Sequence, residues 1–103
     1  MKLKMVTSKR TGRVSFVDEN NVRFNWVDYY WSSDFFDDGV ACVAFYKDGF
    51  PRKKYLRDDG TFISKECFIK GEDAFSDGSV RVMREDGEWY YLDYNGNFHT
   101  SKP

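Results

Sequence analysis

A chain of 103 residues accommodates one domain and leaves no room for two. Its 16 basic and 17 acidic residues leave a formal net charge of −1, so bulk charge selects neither nucleic acid nor a basic partner. Ten Phe, seven Tyr and three Trp, against only three Leu, two Ile and three Ala, exclude an ordinary helical bundle and argue against disorder.

In chain order, the N-terminal MKLKMVTSKR is basic and lacks an apolar run of signal-peptide length. No later stretch approaches the roughly 20 apolar residues of a membrane span, so the cytoplasm is the default expectation and no membrane partner is expected. Arg13–Asp18 and Val22–Val27 read as strands around Glu19-Asn20-Asn21, where Asn21 takes the left-handed role of a glycine. The linker 28–38 holds at most one turn of helix. Val40–Tyr46 reads as a strand, Asp48-Gly49 as a tight hairpin turn and Lys53–Arg57 as the return strand, with Pro51 at a strand start or edge. Asp59-Gly60 turns into a third strand, Thr61–Ile63, before a second linker at 66–77. Ser79–Arg84, Asp86-Gly87, Glu88–Asp93, Asn95-Gly96 and Asn97–Thr100 repeat this strand–turn–strand–turn–strand order. No segment sustains a 3.6-residue apolar period. The expected fold is all-β, an antiparallel meander of about nine short strands, either an open sheet or a small barrel.

A shift of 39 residues lays Phe36-Asp37-Asp38-Gly39-Val40 on Phe75-Ser76-Asp77-Gly78-Ser79, Phe16-Val17 on Tyr55-Leu56, and Phe24 on Ile63. With small length changes, Tyr55-Leu56 and Asp59-Gly60 also match Tyr91-Leu92 and Asn95-Gly96. Such self-similarity predicts a single domain of about two and a half units, at 1–39, 40–78 and a partial 79–103. Aromatics at matched positions, such as Phe36/Phe75 and Tyr55/Tyr91, are expected in the core of each unit. Trp31, Tyr29 and Tyr30 have no counterpart and form a surplus.

The stretches Phe36-Asp37-Asp38-Gly39-Val40-Ala41-Cys42-Val43 and Asp86-Gly87-Glu88-Trp89-Tyr90-Tyr91-Leu92-Asp93 resemble the WG-repeat (KWG-repeat) family of bacterial proteins. Trp89 is followed by Tyr90 where that family's pattern has glycine. The resemblance implies a hairpin-built scaffolding or binding module and no single activity. Separately, Gly87–Gly96 resembles one choline-binding cell-wall repeat, which implies a quaternary ammonium or carbohydrate caged by aromatics around Trp89.

Catalytic chemistry finds little to stand on. His99 is the only histidine, near the C-terminus, and no nucleophile is spaced to use it, so no enzymatic activity is expected. Asp37-Asp38, Asp58-Asp59 and Glu72-Asp73 read as turn carboxylates rather than metal ligands, and no cofactor is implied. Cys42 and Cys67 have no metal spacing and read as two buried free thiols. Arg52, Lys53 and Lys54 form a basic run that could grip phosphates, but ten acids beyond residue 57 argue for a solvated hairpin edge. The segment 26–36 is the richest: Trp26, Tyr29, Tyr30, Trp31 and Phe35 lie among Asp28 and Asp34. It is read as a protein-binding patch of rings edged by acid, suited to an inhibitor or adaptor, or to a homodimer contact.

Overall fold

The computed structural model describes residues 1–103 and contains nine strands and no helix. These are β1 (Lys4–Thr7), β2 (Val14–Val17), β3 (Trp31–Ser32), β4 (Val40–Lys47), β5 (Phe50–Arg57), β6 (Lys70–Gly71), β7 (Ser79–Met83), β8 (Trp89–Asp93) and β9 (Phe98–His99). Within each sheet, sequence neighbours pair antiparallel, giving three open sheets: β1-β2, β3-β4-β5 and β6-β7-β8-β9. No sheet closes into a barrel.

Turn chemistry explains the hairpins. Asp48 (φ 52°) and Gly49 (φ 84°) both take positive φ between paired Lys47 and Phe50, the two-residue turn whose twist matches the flanking strands. Asn21 takes φ 61°, as its position between strands suggested. The sequence also conceals three short strands. β1 lies in the basic N-terminal segment, and β3 and β6 lie inside the two linkers, where strand replaces the allowed turn of helix. Conversely Val22–Val27 and Thr61–Ile63 shrink to single bridges, Val17↔Arg23 and Leu56↔Phe62.

The same backbone bonds recur 39 residues apart. Phe24 N–H donates to Phe16 O at 2.9 Å, and Ile63 N–H to Tyr55 O at 3.0 Å. Tyr30 N–H donates to Ala44 O at 3.0 Å, and Ile69 N–H to Met83 O at 2.9 Å. Val14 bridges Tyr29 as Lys53 bridges Phe68.

The three sheets are layered with the second in the middle. From it Val40, Cys42 and Tyr55 join Val80, Val82 and Leu92 of the third sheet in one core. On its other face Val43 and Leu56 join Leu3, Val14, Phe16 and Tyr29 in a second core. Covered on both faces, β4 loses its alternation and becomes a continuous buried run, Val40 to Ala44. Its small residues, Ala41, Cys42 and Ala44, let two bulky neighbouring layers approach. The two cores are also related by the 39-residue offset. Leu3, Phe16 and Tyr29 stand where Cys42, Tyr55 and Phe68 stand in the other.

The offset slips by one residue in the first linker. Phe35 packs edge-on against Phe16 at 5.6 Å, as Phe75 packs against Tyr55 at 5.6 Å. Phe36, the expected core partner of Phe75, is instead 41% exposed. Tyr91 is half-buried rather than fully buried, because no further layer covers the outer face of the third sheet.

Candidate functional site

The residues singled out at 26–35 do not form one patch. Tyr29 is 2% exposed and belongs to the core between the first two sheets. Its ring packs edge-on against Phe16 and Phe45, and its hydroxyl accepts a 3.1 Å bond from Asn25 Nδ2. It cannot touch a partner, because the Val14–Tyr29 bridge turns its side chain into the layer interface. Phe35 is half-buried against the same core. The alternation of a pleated chain separates these two from their neighbours Tyr30 and Phe36.

The exposed members divide among three places. Trp26 is 86% exposed, with the Arg23 guanidinium 5.2 Å from its ring. Arg23 in turn pairs with Asp28 at 2.7 Å, so this acid is neutralised within its own loop. Tyr30 stacks on Tyr46 at 4.7 Å, and Trp31 beside it lines a small notch with Ala44, Lys53 and Asp73. Asp34 is exposed on a wider groove, whose lining the half-buried Phe35 also reaches.

That groove, about 560 Å³, lies on the seam between the second and third sheets. Asp34, Phe35, Phe36, Asp37 and Asp38 from the loop before β4 form one wall, and Ala74, Phe75 and Tyr94 the other. Phe75 and Tyr94 stack at 4.4 Å with their planes 14° apart. The Tyr94 hydroxyl donates a 2.6 Å bond to Asp38 Oδ2, while Asp38 Oδ1 accepts the Val40 N–H at 3.0 Å. Burial, then the bond to Asp38, pushes the Tyr94 phenol up to about 12, so it stays a neutral donor. None of Asp34, Asp37 and Asp38 has a basic side chain within ion-pair distance, in contrast to Asp28, Asp73 and Asp77. The groove therefore presents three uncompensated carboxylates beside exposed aromatic faces.

Sequence reasoning missed Phe75 and Tyr94 as site residues and read Asp37-Asp38 as a turn pair at the end of the aromatic–acidic segment. One signal could have found Tyr94: its counterpart 36 residues earlier is Asp58, so it too is an aromatic without an equivalent.

The basic run is dispersed by strand alternation. Arg52 makes a two-point contact with Glu85 at 2.7 and 3.2 Å. Lys53 donates to Gly71 O at 3.0 Å and Asp73 at 3.4 Å, and Lys54 lies 4.1 Å from the centroid of the Phe62 ring. Two of the three cations are thus already matched by acids of this chain. His99 Nε2 lies 2.8 Å from Asp93 Oδ2, and that bond, with the Asn97 and Asn95 N–H groups, holds the Asp93 carboxyl below its usual range. Asp59 Oδ1 accepts both the N–H and the hydroxyl of Thr61, as a turn carboxylate does. No three His, Cys, Asp or Glu side chains converge in a metal-binding group. Both thiols are unpaired; Cys42 is fully buried, whereas Cys67 is only half-buried, contrary to expectation. Trp89 has the Arg81 guanidinium 4.4 Å from its ring, so a cation of this chain already stands where a quaternary ammonium would. No helix is long and apolar enough to cross a membrane. No protein-family model, curated protein or solved structure matches this chain.

Proposed function

We propose that this protein is a non-enzymatic binding module that receives a cationic segment of a partner protein in the Asp34–Asp38/Phe75/Tyr94 groove, acting as a small inhibitor or adaptor. The observation that carries this reading is three carboxylates without an internal counter-charge, set against the exposed rings of Phe36 and Tyr94, the latter stacked on half-buried Phe75. A lysine or arginine side chain satisfies both components at once, by ion pairing and by lying over a ring. The recurrence of the same bonds and cores 39 residues apart supports a hairpin-repeat scaffold of the kind the WG-repeat resemblance implies. In this reading the units serve to hold two linkers side by side.

The test is a titration with a short arginine- and lysine-rich peptide and with its glutamate-rich counterpart, followed by NMR. The cationic peptide moves signals of Phe36, Phe75 and Tyr94, and does so less at high salt. Asp34→Asn with Asp37→Asn weakens it about fivefold or more, roughly 1 kcal/mol. Equal responses to both peptides, or an unchanged response in the double variant, would refute the reading. A partner captured from the native host by the wild type and equally by the double variant would refute it as well.

A further inference from the structure

The second site worth attention is the notch at Trp31. Strand register places Trp31, Ala44 and Lys53 directly opposite one another across β3, β4 and β5. Residues directly opposite in a sheet project from the same face, so this row carries two long side chains with a methyl group between them. The gap is a notch of about 300 Å³ walled by Tyr30, Trp31, Lys53 and Asp73, at the lower end of the range for small-ligand sites.

The gap needs the neighbouring layer, since its Asp73 wall comes from the loop after β6. The equivalent row of the third sheet is Lys70, Met83 and Trp89, again opposite one another across β6, β7 and β8. There Met83 stands in the place of Ala44, tryptophan and lysine exchange ends, and no further layer covers the row to wall a cavity. The notch thus arises where a small residue at 44 lies beneath Asp73.

The lining limits what can enter. Lys53 and Asp73 are 3.4 Å apart and neutralise each other, so a ligand of either charge gains on one and loses on the other. An apolar ligand would strip water from both without replacing its hydrogen bonds. Trp31 offers a flat ring, 38% exposed, and the Lys53 ammonium sits 5.7 Å from its centroid, near the outer limit of contact. A neutral ring with one C–H face and hydroxyls around its rim matches all of these: the face lies on Trp31, and the rim donates to Asp73 and accepts from Lys53. We infer that the Trp31–Ala44–Lys53 notch binds a pyranose unit of a carbohydrate. It shares no residue with the acidic groove, so it stands or falls separately.

The experiment uses the full chain and three probes: tetrasaccharides of glucose, of N-acetylglucosamine and of mannose. The three tryptophan indole N–H signals are followed by NMR, with Trp31 assigned through Trp31→Phe. The expected result is movement of the Trp31 indole and the Ala44 amide with at least one probe, while Trp26 and Trp89 stay in place. Ala44→Met, which copies the third sheet, fills the notch and abolishes the response. Asp73→Asn weakens it about fivefold. If Ala44→Met does not fold, loss of the Ala44 amide response in Trp31→Ala takes its place. Silence with all three probes overturns the proposal. So does a response that survives Ala44→Met, or one centred on Trp89.

Discussion

The Tyr94 phenol and the Asp38 carboxylate, 56 residues apart in the chain, meet across the seam between the second and third sheets in a 2.6 Å hydrogen bond. The bond does two things. It clamps the loop before β4 to the turn after β8, and it holds Tyr94 against Phe75 as one wall of the groove. Because the folded-state value is raised from the ordinary 10 to about 12, the neutral phenol contributes stability that is complete below pH 10. That contribution is lost as pH rises through about 12. Urea midpoints measured across this window fall more steeply for the wild type than for Tyr94→Phe. Parallel curves for the two proteins would show that the phenol contributes nothing there.

Gly96 takes φ +84°, and a Cβ there would stand 2.6 Å from the Ile63 carbonyl oxygen, so the turn after β8 presses against the neighbouring layer. Gly96→Ala therefore combines left-handed strain with a backbone clash and lowers stability by about 2–4 kcal/mol. Gly87 takes a similar φ of +81° with nothing within 4 Å, and Gly87→Ala costs only about 1 kcal/mol. Equal losses in chemical denaturation would remove the close approach as the cause.

Ser79 is 3% exposed, and its hydroxyl has no hydrogen-bond partner. The residue 39 positions earlier is Val40, which fills the corresponding place at the start of β4. Ser79→Val therefore raises stability by about 1 kcal/mol, seen as a higher denaturation midpoint with an unchanged slope. A lower midpoint would mean that the site lacks room for a second methyl.

The two thiols differ in reactivity. Burial pushes Cys42 up from 9.0 to about 12, and its side chain is completely enclosed. Cys67 is half-buried at the rim of a cavity lined by Tyr29, Phe45 and Phe62. At pH 8 a thiol reagent modifies Cys67 in the folded protein, and Cys42 only after denaturant is added. Simultaneous modification of both, read by mass spectrometry, would contradict the layered core.

The outermost faces carry charged and polar side chains where inner faces are apolar. Arg81 stands at the place of Cys42 and His99 at that of Ile63, while on the first sheet Lys4 stands at the place of Val43. Charged and polar side chains at these positions discourage head-to-tail stacking of copies. The triple variant Lys4→Val, Arg81→Val, His99→Ile self-associates with rising concentration in light scattering, under conditions where the wild type does not. A variant no more associated than the wild type would show that other residues keep the faces apart.

Much of the architecture is local, and so was legible in the chain. Asp48-Gly49, Asp86-Gly87 and Asn95-Gly96 can turn without reference to anything distant, and aromatic and β-branched strands between them follow from short-range preference. The strands that escaped notice, β3 and β6, are two residues long and exist only because β4 and β7 offer them an edge. The site was less legible for the same reason. Tyr29 and Tyr30 are adjacent and chemically alike, yet one is core and the other surface, and only the layer packed above decides which.

The surplus of aromatics over aliphatics, the turn residues and the 39-residue self-similarity by themselves determined an all-β chain of short hairpins, because each depends on preferences within a few residues. Tertiary structure alone decided that the sheets layer in threes with β4 sealed on both faces, and that Phe35 rather than Phe36 enters the core. It alone brought Asp34, Asp37 and Asp38 to Phe75 and Tyr94, and opened a notch over Ala44. Those outcomes depend on which surfaces meet across the layers, and that is set by long-range packing to which no single stretch of sequence has access.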